Sequence, residues 1–320
     1  GFCCYHPNAN SGIWFDPSYE DILPNGCPTG NFYFVDQNHP NASDENFGTE
    51  EEPWKTIQKA ADTLVAGDIV YVKEGIYYNQ GTSDGIRPRY SGSSGTPIIY
   101  AAFPGHKVII DQQKAKRGFY IINKSYIIIS EIEIRNTWGS GVKTESSTNI
   151  IVEKCIIHDA DGPQGSNVGA ISFDGCSHCI IRNNKLYNVY VNGDMSNQNA
   201  SCVGSNYDME YAIIENNEIF NAANGVNHKR SSGNKGAIIR KNIIHDVRLR
   251  GIVYTIGGRG DPPHKDQEVY QNIFYNCPAG IHVSLSNETS GDSIGLFIYN
   301  NVFHTKTGIG ICGYKEVEIW

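Results

Sequence analysis

AIIENNEIFN (212–221) and AIIRKNIIHD (237–246) place Ile, Ile, Asn and Ile at the same offsets, and the reading of the fold starts from that match. Copies of the same pattern occur at IIVEKCIIHD (150–159), CIIRNNKLYN (179–188), EVYQNIFYN (268–276) and LFIYNNVFHT (296–305). A degenerate first copy, IIISEIEIRN, covers 127–136, and the copies recur every 23 to 33 residues. One column reads Cys155, Asn184, Asn217, Asn242, Asn272, Asn301, and a second reads Asp159, Asn188, Asn221, Asp246, Asn276, Thr305. Self-similarity at such a period marks stacked supersecondary units, each burying its apolar face only against its neighbours.

A second strand recurs in step. It reads GVKT from Gly141, GAIS from Gly169, SCVG from Ser201, GVNH from Gly225, GIVY from Gly251, GIHV from Gly280 and GIGI from Gly308. Alternation points Val142, Ala170, Val226, Ile252, Ile281 and Ile309 inward. The segments are short, β-branched and punctuated by Asn and Gly, so they are strands; a helical repeat needs longer stretches at 3.6 periodicity. Asn tolerates left-handed backbone angles at a turn, and stacked Asn amides hydrogen-bond in a ladder. The expected fold is all-β: a right-handed parallel β-helix, a solenoid of three-strand coils, over 32–320. Residues 1–31 form an irregular segment containing Cys3, Cys4 and Cys27, which are expected to hold it. The last repeat stops at KEVEIW (315–320), so the final coil is expected to be incomplete.

Composition narrows the function. The 320 residues carry a net charge of −8, which argues against nucleic acid, whose phosphates need a basic stripe. No run of 18 apolar residues predicts a membrane span. Nine cysteines, and N-x-S/T triplets at Asn41, Asn123, Asn199 and Asn287, agree with a secreted, glycosylated, disulfide-containing protein at or beyond the cell surface. Cys176 and Cys179 resemble half a zinc site, but no second CxxC or HxxxH accompanies them, so a disulfide or buried thiols is the better reading.

EEPWKTIQKAADTL (51–64) predicts a short helix over 53–64, with Pro53 in its first turn and Glu50, Glu51 and Glu52 at its positive end. Trp54, Ile57, Ala61 and Leu64 form its apolar face, which would cap the open end of the solenoid. The run GTEEEPWKTIQKAADTLVAGDIVYVKEGIYYNQ (48–80) resembles the N-terminal signature of the pectate-lyase-like right-handed β-helix superfamily. That superfamily holds lyases, hydrolases, epimerases and inert surface proteins, so the resemblance implies a fold before it implies an activity.

Candidate chemistry lies on the outward face of the Gly-led strand. Its outward positions are expected at Lys143, Ile171, Val203, Asn227, Val253 and His282, then at Glu145, Phe173, Ser205, Lys229, Thr255 and Ser284. Lys229, Arg230, Lys235, Arg240, Lys241, Arg248, Arg250, Arg259 and Lys265 concentrate positive charge in one stretch, which fits an extended anionic polysaccharide. VNHK (226–229) is similar to the I-S-N-K-like strand of the chondroitinase-B and alginate-lyase family, which implies Lys229 as the base of a uronate β-elimination. That family carries a catalytic Arg in an L-R-H-G-like strand one coil on; the matching stretch here is TIGG (255–258), with Arg259 just beyond. Arg259 or Arg230 is the expected carboxylate or leaving-group partner, with His264 and Tyr254 as further catalytic candidates and Asn227, His228, His282 and Lys265 as substrate contacts. DPPH (261–264) is loosely similar to the D-P-H motif of mannuronan epimerases, although a proline-rich turn accounts for the same residues. Asp194, Asp208 and Glu210 could hold Ca²⁺ through oxygen ligands. The rival expectation is a non-catalytic extracellular β-helix, an adhesin, glycan-binding module or filament subunit that self-associates through its last coil.

Overall fold

The structure is a computed structural model. It describes residues 3–4, 13–14, 30–207, 209–229, 235–256, 266–285, 295–312 and 318–319. Each coil contains three strands joined at three corners. One coil runs Ile213–Glu215, Glu218–Phe220 and Asn224–Lys229, and the next runs Ile238–Arg240, Ile243–His245 and Arg250–Ile256. Successive coils pair in parallel and in register: Ile214 with Ile239, Ile219 with Ile244, Val226 with Ile252. These six side chains are within 1% of full burial, so each coil adds one apolar layer to a continuous core. The Gly-led strands form sheet 1, the strands of the Ile213–Glu215 type form sheet 2, and those of the Glu218–Phe220 type form sheet 3. The result is a parallel β-helix.

The corner between sheets 2 and 3 carries the Asn column. Asn217 Oδ1 accepts the backbone N–H of Asn184 at 2.9 Å and its Nδ2–H at 3.0 Å. Asn217 Nδ2 donates to Ile181 O and to Asn242 Oδ1, both at 2.9 Å. The same pattern passes through Asn242, Asn272 and Asn301, and begins where Cys155 donates its N–H to Asn184 Oδ1. The left-handed backbone expected at these asparagines lies one residue earlier, at Asn183, Asn216, Lys241, Gln271 and Asn300, with φ of 53° to 57°. The column asparagines are therefore required for both ends of their amides. Left-handed angles instead mark the second column, where Asp159, Asn188, Asn221, Asp246 and Asn276 have φ of 50° to 57°.

The helix is shorter than its sequence signals imply. It spans Ile57–Thr63, and Thr56 is the N-cap, its hydroxyl accepting from Lys59 N. Asp44 holds that cap by accepting Thr56 N–H and Oγ1–H. Pro53 and Trp54 precede the helix because Trp54 bridges to Val35 in an extended conformation. Glu50 pairs with Lys73 at 2.6 Å and does not sit at a helix end. Trp54, Ile57, Ala61 and Leu64 are all buried in the core with Val35, Val70 and Val72, so the apolar face does close against the first coils.

Cys176 and Cys179 form a disulfide, and Cys155, Cys202 and Cys277 are buried free thiols. The pairing of Cys3, Cys4 and Cys27 lies outside the described residues, apart from the antiparallel backbone pairing of Cys3–Cys4 with Ile13–Trp14. Outside sheet 3, His158, Tyr187, Phe220, His245 and Tyr275 stack at centroid spacings of 4.6 to 4.8 Å. These rings occupy one another's faces, which leaves mainly their edges to solvent.

Candidate functional site

Sheet 1 has a register one residue away from the sequence expectation in two coils. Val142 pairs with Ile171, Ile171 with Val203, and Val203 with Val226, so Ile171 and Val203 point into the core. Phe173 and Ser205 are likewise buried, and the outward rows are different. One runs Tyr120, Lys143, Ser172, Gly204, Asn227, Val253, His282. The other pairs Glu145 with Asp174, and Lys229 with Thr255 and Ser284. Asp174 is absent from the sequence expectation because the expectation aligns Gly169 with the glycines that lead other coils, whereas Val142 pairs with Ile171. Here the strand begins earlier, at Val168, and a one-residue slip turns every side chain to the other face.

Lys229 ends the strand Asn224–Lys229 and is half-buried. Its ammonium donates to Asn167 Oδ1 at 2.8 Å and to Asn199 Oδ1. Both asparagines come from the connections between sheets 3 and 1, which are long in these two coils and form a wall over sheet 1. Asn224 and Asn227 secure that wall by donating from Nδ2 to Gln198 O at 3.0 and 3.5 Å. The Oδ1 atoms of Asn224 and Asn227 are buried and have no partner among the described residues.

Lys143 lies further toward the N-terminal end, 3.1 Å from Glu145 Oε1 and 3.3 Å from Asp174 Oδ2. Asn206 donates its backbone N–H and Nδ2–H to Asp174 Oδ1, which bridges the rows between Lys143 and Lys229. Arg117 and Arg87 sit 4.8 and 5.5 Å over the Tyr120 ring. Burial, followed by the neighbouring Glu145, holds the Tyr120 phenol above its ordinary pKa. The face thus offers cations, amides and one aromatic ring in rows along the solenoid axis.

Several expected site residues lie elsewhere. Tyr254 is 1% exposed and belongs to the core; burial drives its phenol far above the ordinary range, so it cannot exchange protons with a groove ligand. His228 is fully buried and stacks on Tyr254 at 4.9 Å, so it is an interior ring and makes no substrate contact. Asn227 and His282 do face outward; burial, aided by the charge of Arg250, holds the His282 imidazole below its usual pKa. Arg230, Arg259, His264, Lys265 and Asp208 lie outside the described residues. Among the described residues of the basic stretch, Arg240 and Lys241 lie away from the sheet 1 face. Arg240 pairs with Glu215 at 2.7 Å outside sheet 2, and Lys241 occupies the corner beyond it, because a charge run of this length wraps around the coil.

Of the three residues expected to hold Ca²⁺, Asp208 lies outside the described residues. Asp194 is exposed and its Oδ1 accepts from Ser196 N and Oγ, which lowers its pKa. Glu210 lies beyond the far end of the Ala200–Ser205 strand, in Met209–Glu210. Among the described residues, no three His, Cys, Asp or Glu side chains gather around a common point.

With the geometry in hand, comparison with known proteins identifies the family. The family profile described as "Pel9A-like, right handed beta helix region" matches residues 33–246. The chain belongs to this Pel9A-like β-helix family. Pectate lyase L of Dickeya chrysanthemi is 26% identical over 202 residues, covering 59% of this chain and 45% of the relative. The uncharacterized protein YwoF of Bacillus subtilis is 25% identical over 207 residues, covering 63% and 38%. The Pel9A-like chain therefore spans less than half the length of these relatives. The solved structure of pectate lyase Pel9A covers 92% of this chain and 82% of its own, with a TM-score of 0.67 at 15% identity. An alginate lyase from Paenibacillus sp. str. FPU-7 covers 80% and 94%, with a TM-score of 0.52 at 17% identity. At these identities the structural likeness is one of fold. No described helix is long and apolar enough to cross a membrane.

Proposed function

We propose that this Pel9A-like chain is a secreted polysaccharide lyase that cleaves a uronic-acid glycan lying along the outer face of sheet 1, with Lys229 as the base. The observation that carries the reading is the placement of Lys229: outward on sheet 1, with its ammonium held by Asn167 and Asn199 beside the row of Asn227 and His282. The similarity to a relative named pectate lyase L supports the substrate class. The Cys176–Cys179 disulfide supports export to an oxidising compartment.

The chemistry follows from the substrate. A lysine in its neutral form can remove the proton next to a uronate carboxylate once a neighbouring positive charge neutralises that carboxylate. Its electron pair forms a C=C bond, the glycosidic C–O bond breaks, and the departing oxygen takes up a proton. Asn227 and His282 lie in the row beside Lys229, and Arg117, over the Tyr120 ring, lies further along the face.

Incubation with polygalacturonate, alginate, rhamnogalacturonan and glycosaminoglycans tests the reading. Ultraviolet absorbance from the new C=C is expected to rise on at least one of them. Binding to such a polymer without any absorbance change on the whole panel would overturn the catalytic reading in favour of a glycan-binding β-helix.

A further inference from the structure

We infer that Asn199 is a positioning residue that holds the Lys229 amine and sets the pH at which it accepts a proton. The inference rests on the reading of Lys229 as the base. A lysine side chain has four rotatable carbons and, at the outward end of a strand, samples many rotamers. Here Lys229 is drawn back along its own strand to the loop wall, because its ammonium donates to Asn199 Oδ1 and Asn167 Oδ1.

The wall is built to hold those oxygens still. Asn199 O accepts from Val168 N at 3.0 Å, and Asn199 N donates to Asn197 Oδ1 at 3.1 Å, so its backbone is fixed from both sides. Gln198 O is gripped by Asn224, and Val191 and Asp194 exchange reciprocal bonds at 3.0 Å across the exposed turn at Asn192 and Gly193. Val168 and Ala200 are register partners, so Asn167 and Asn199 occupy the same position in successive coils. The remaining freedom at Asn199 is the rotation of its amide.

That rotation matters for a base. An amide oxygen accepts from an ammonium and favours the charged form. Turned over, the same side chain presents N–H to the lone pair of the neutral amine. Asparagine therefore stays bonded to Lys229 before and after the proton arrives. Aspartate, a close isostere, can only accept, bonds the ammonium more strongly than the neutral amine, and adds a charge that raises the lysine pKa. Leucine bonds to neither form and removes the favour shown to the ammonium.

The test uses the full chain as wild type, Asn199→Asp, Asn199→Leu and Lys229→Ala. Two quantities are read: the acid limb of the pH–kcat profile on a uronate polymer the wild type cleaves, and the pKa of Lys229 from NMR titration of ¹³C-methylated lysines. Against the wild type, Asn199→Asp is expected to move both upward by about one pH unit, and Asn199→Leu to move both downward, as a charge or an acceptor beside a titrating group does. Loss of activity in both variants with the limb and the NMR pKa unmoved would overturn the inference and leave Asn199 a structural residue. The proposed lyase function fails separately, if Lys229→Ala keeps wild-type activity, and the NMR titration still reads the contact between Asn199 and Lys229 in that case.

Discussion

Two corners of the same coils follow opposite rules. Between sheets 2 and 3 the turn keeps one length from Ser130 to Val302, and from Asn184 onward a left-handed residue is followed by an Asn whose amide joins it to neighbouring coils. Between sheets 3 and 1 the connection is short at Asn221 and Asp246 but extends over 190–199 in the coil that supplies Asn199. The constant corner spends its asparagines on the fold. The variable corner spends Asn167 and Asn199 on a lysine 62 and 30 residues away. A solenoid can thus lengthen one corner and build a site there without disturbing the stacking that the other corner maintains.

Insertion should break this comparison most sharply. Two residues added between Asn216 and Asn217 displace the ladder and shift sheet 3 out of register, and cooperative thermal unfolding is expected to disappear. The same two residues added between Gly193 and Asp194, at an exposed loop tip, should cost well under ~1 kcal/mol, since loop closure grows only slowly with length. Calorimetry of the two insertions decides whether the corners differ as described.

Asn217→Ala is the next largest effect. It strips the acceptor from two buried donors of Asn184 and the donor from Ile181 O, and ~1–3 kcal/mol per stranded group implies a loss of about 3 kcal/mol or more. Asn199→Ala, measured by the same denaturant titration, should lose no more than ~1 kcal/mol, the range of a part-exposed hydrogen bond.

Legibility follows the same division. The ladder Asn184, Asn217, Asn242, Asn272 and Asn301 was readable because every coil needs the same amide at the same place. In the sequence Pro53 and Trp54 look like a first helical turn, but Trp54 is held extended by Val35, so the helix starts later, at Ile57. On sheet 1, the glycine used as a landmark carries no side chain to fix its face, so Ile171, Phe173 and Val203 were read as outward and Asp174 was overlooked. Lys229 could be placed from VNHK, but Asn167 and Asn199 could not, since their partner is supplied by folding of distant loops. Tyr254 and His228 were misread for a related reason: polar rings at inward positions stack on one another inside the core.

A smaller effect concerns pH. Burial and Arg250 hold the folded pKa of His282 below its unfolded value of ~6.5, so within that window the unfolded chain binds the extra proton. Stability is therefore expected to fall as pH drops through the window, and His282→Gln should flatten that slope in urea titrations made at about pH 7.5 and 5.5. A slope unchanged by the substitution would remove His282 from the account.

The smallest expected effect is on the thiols. Burial raises Cys155 to about 12 and Cys277 to about 11 and also raises Cys202, so none presents thiolate at neutral pH. Peptide-resolved mass spectrometry after iodoacetamide treatment of the native protein should find these three unmodified, and labelled only after unfolding.

The central claim is that Lys229, fixed by the variable corner, removes the uronate proton. Its most direct test compares wild type with Lys229→Ala on the uronate polymer the wild type cleaves, following absorbance of the new C=C. The account predicts a loss of about 10²–10⁴-fold, the worth of a positioned general base, with an unchanged melting temperature. Elimination at the wild-type rate in Lys229→Ala would contradict it.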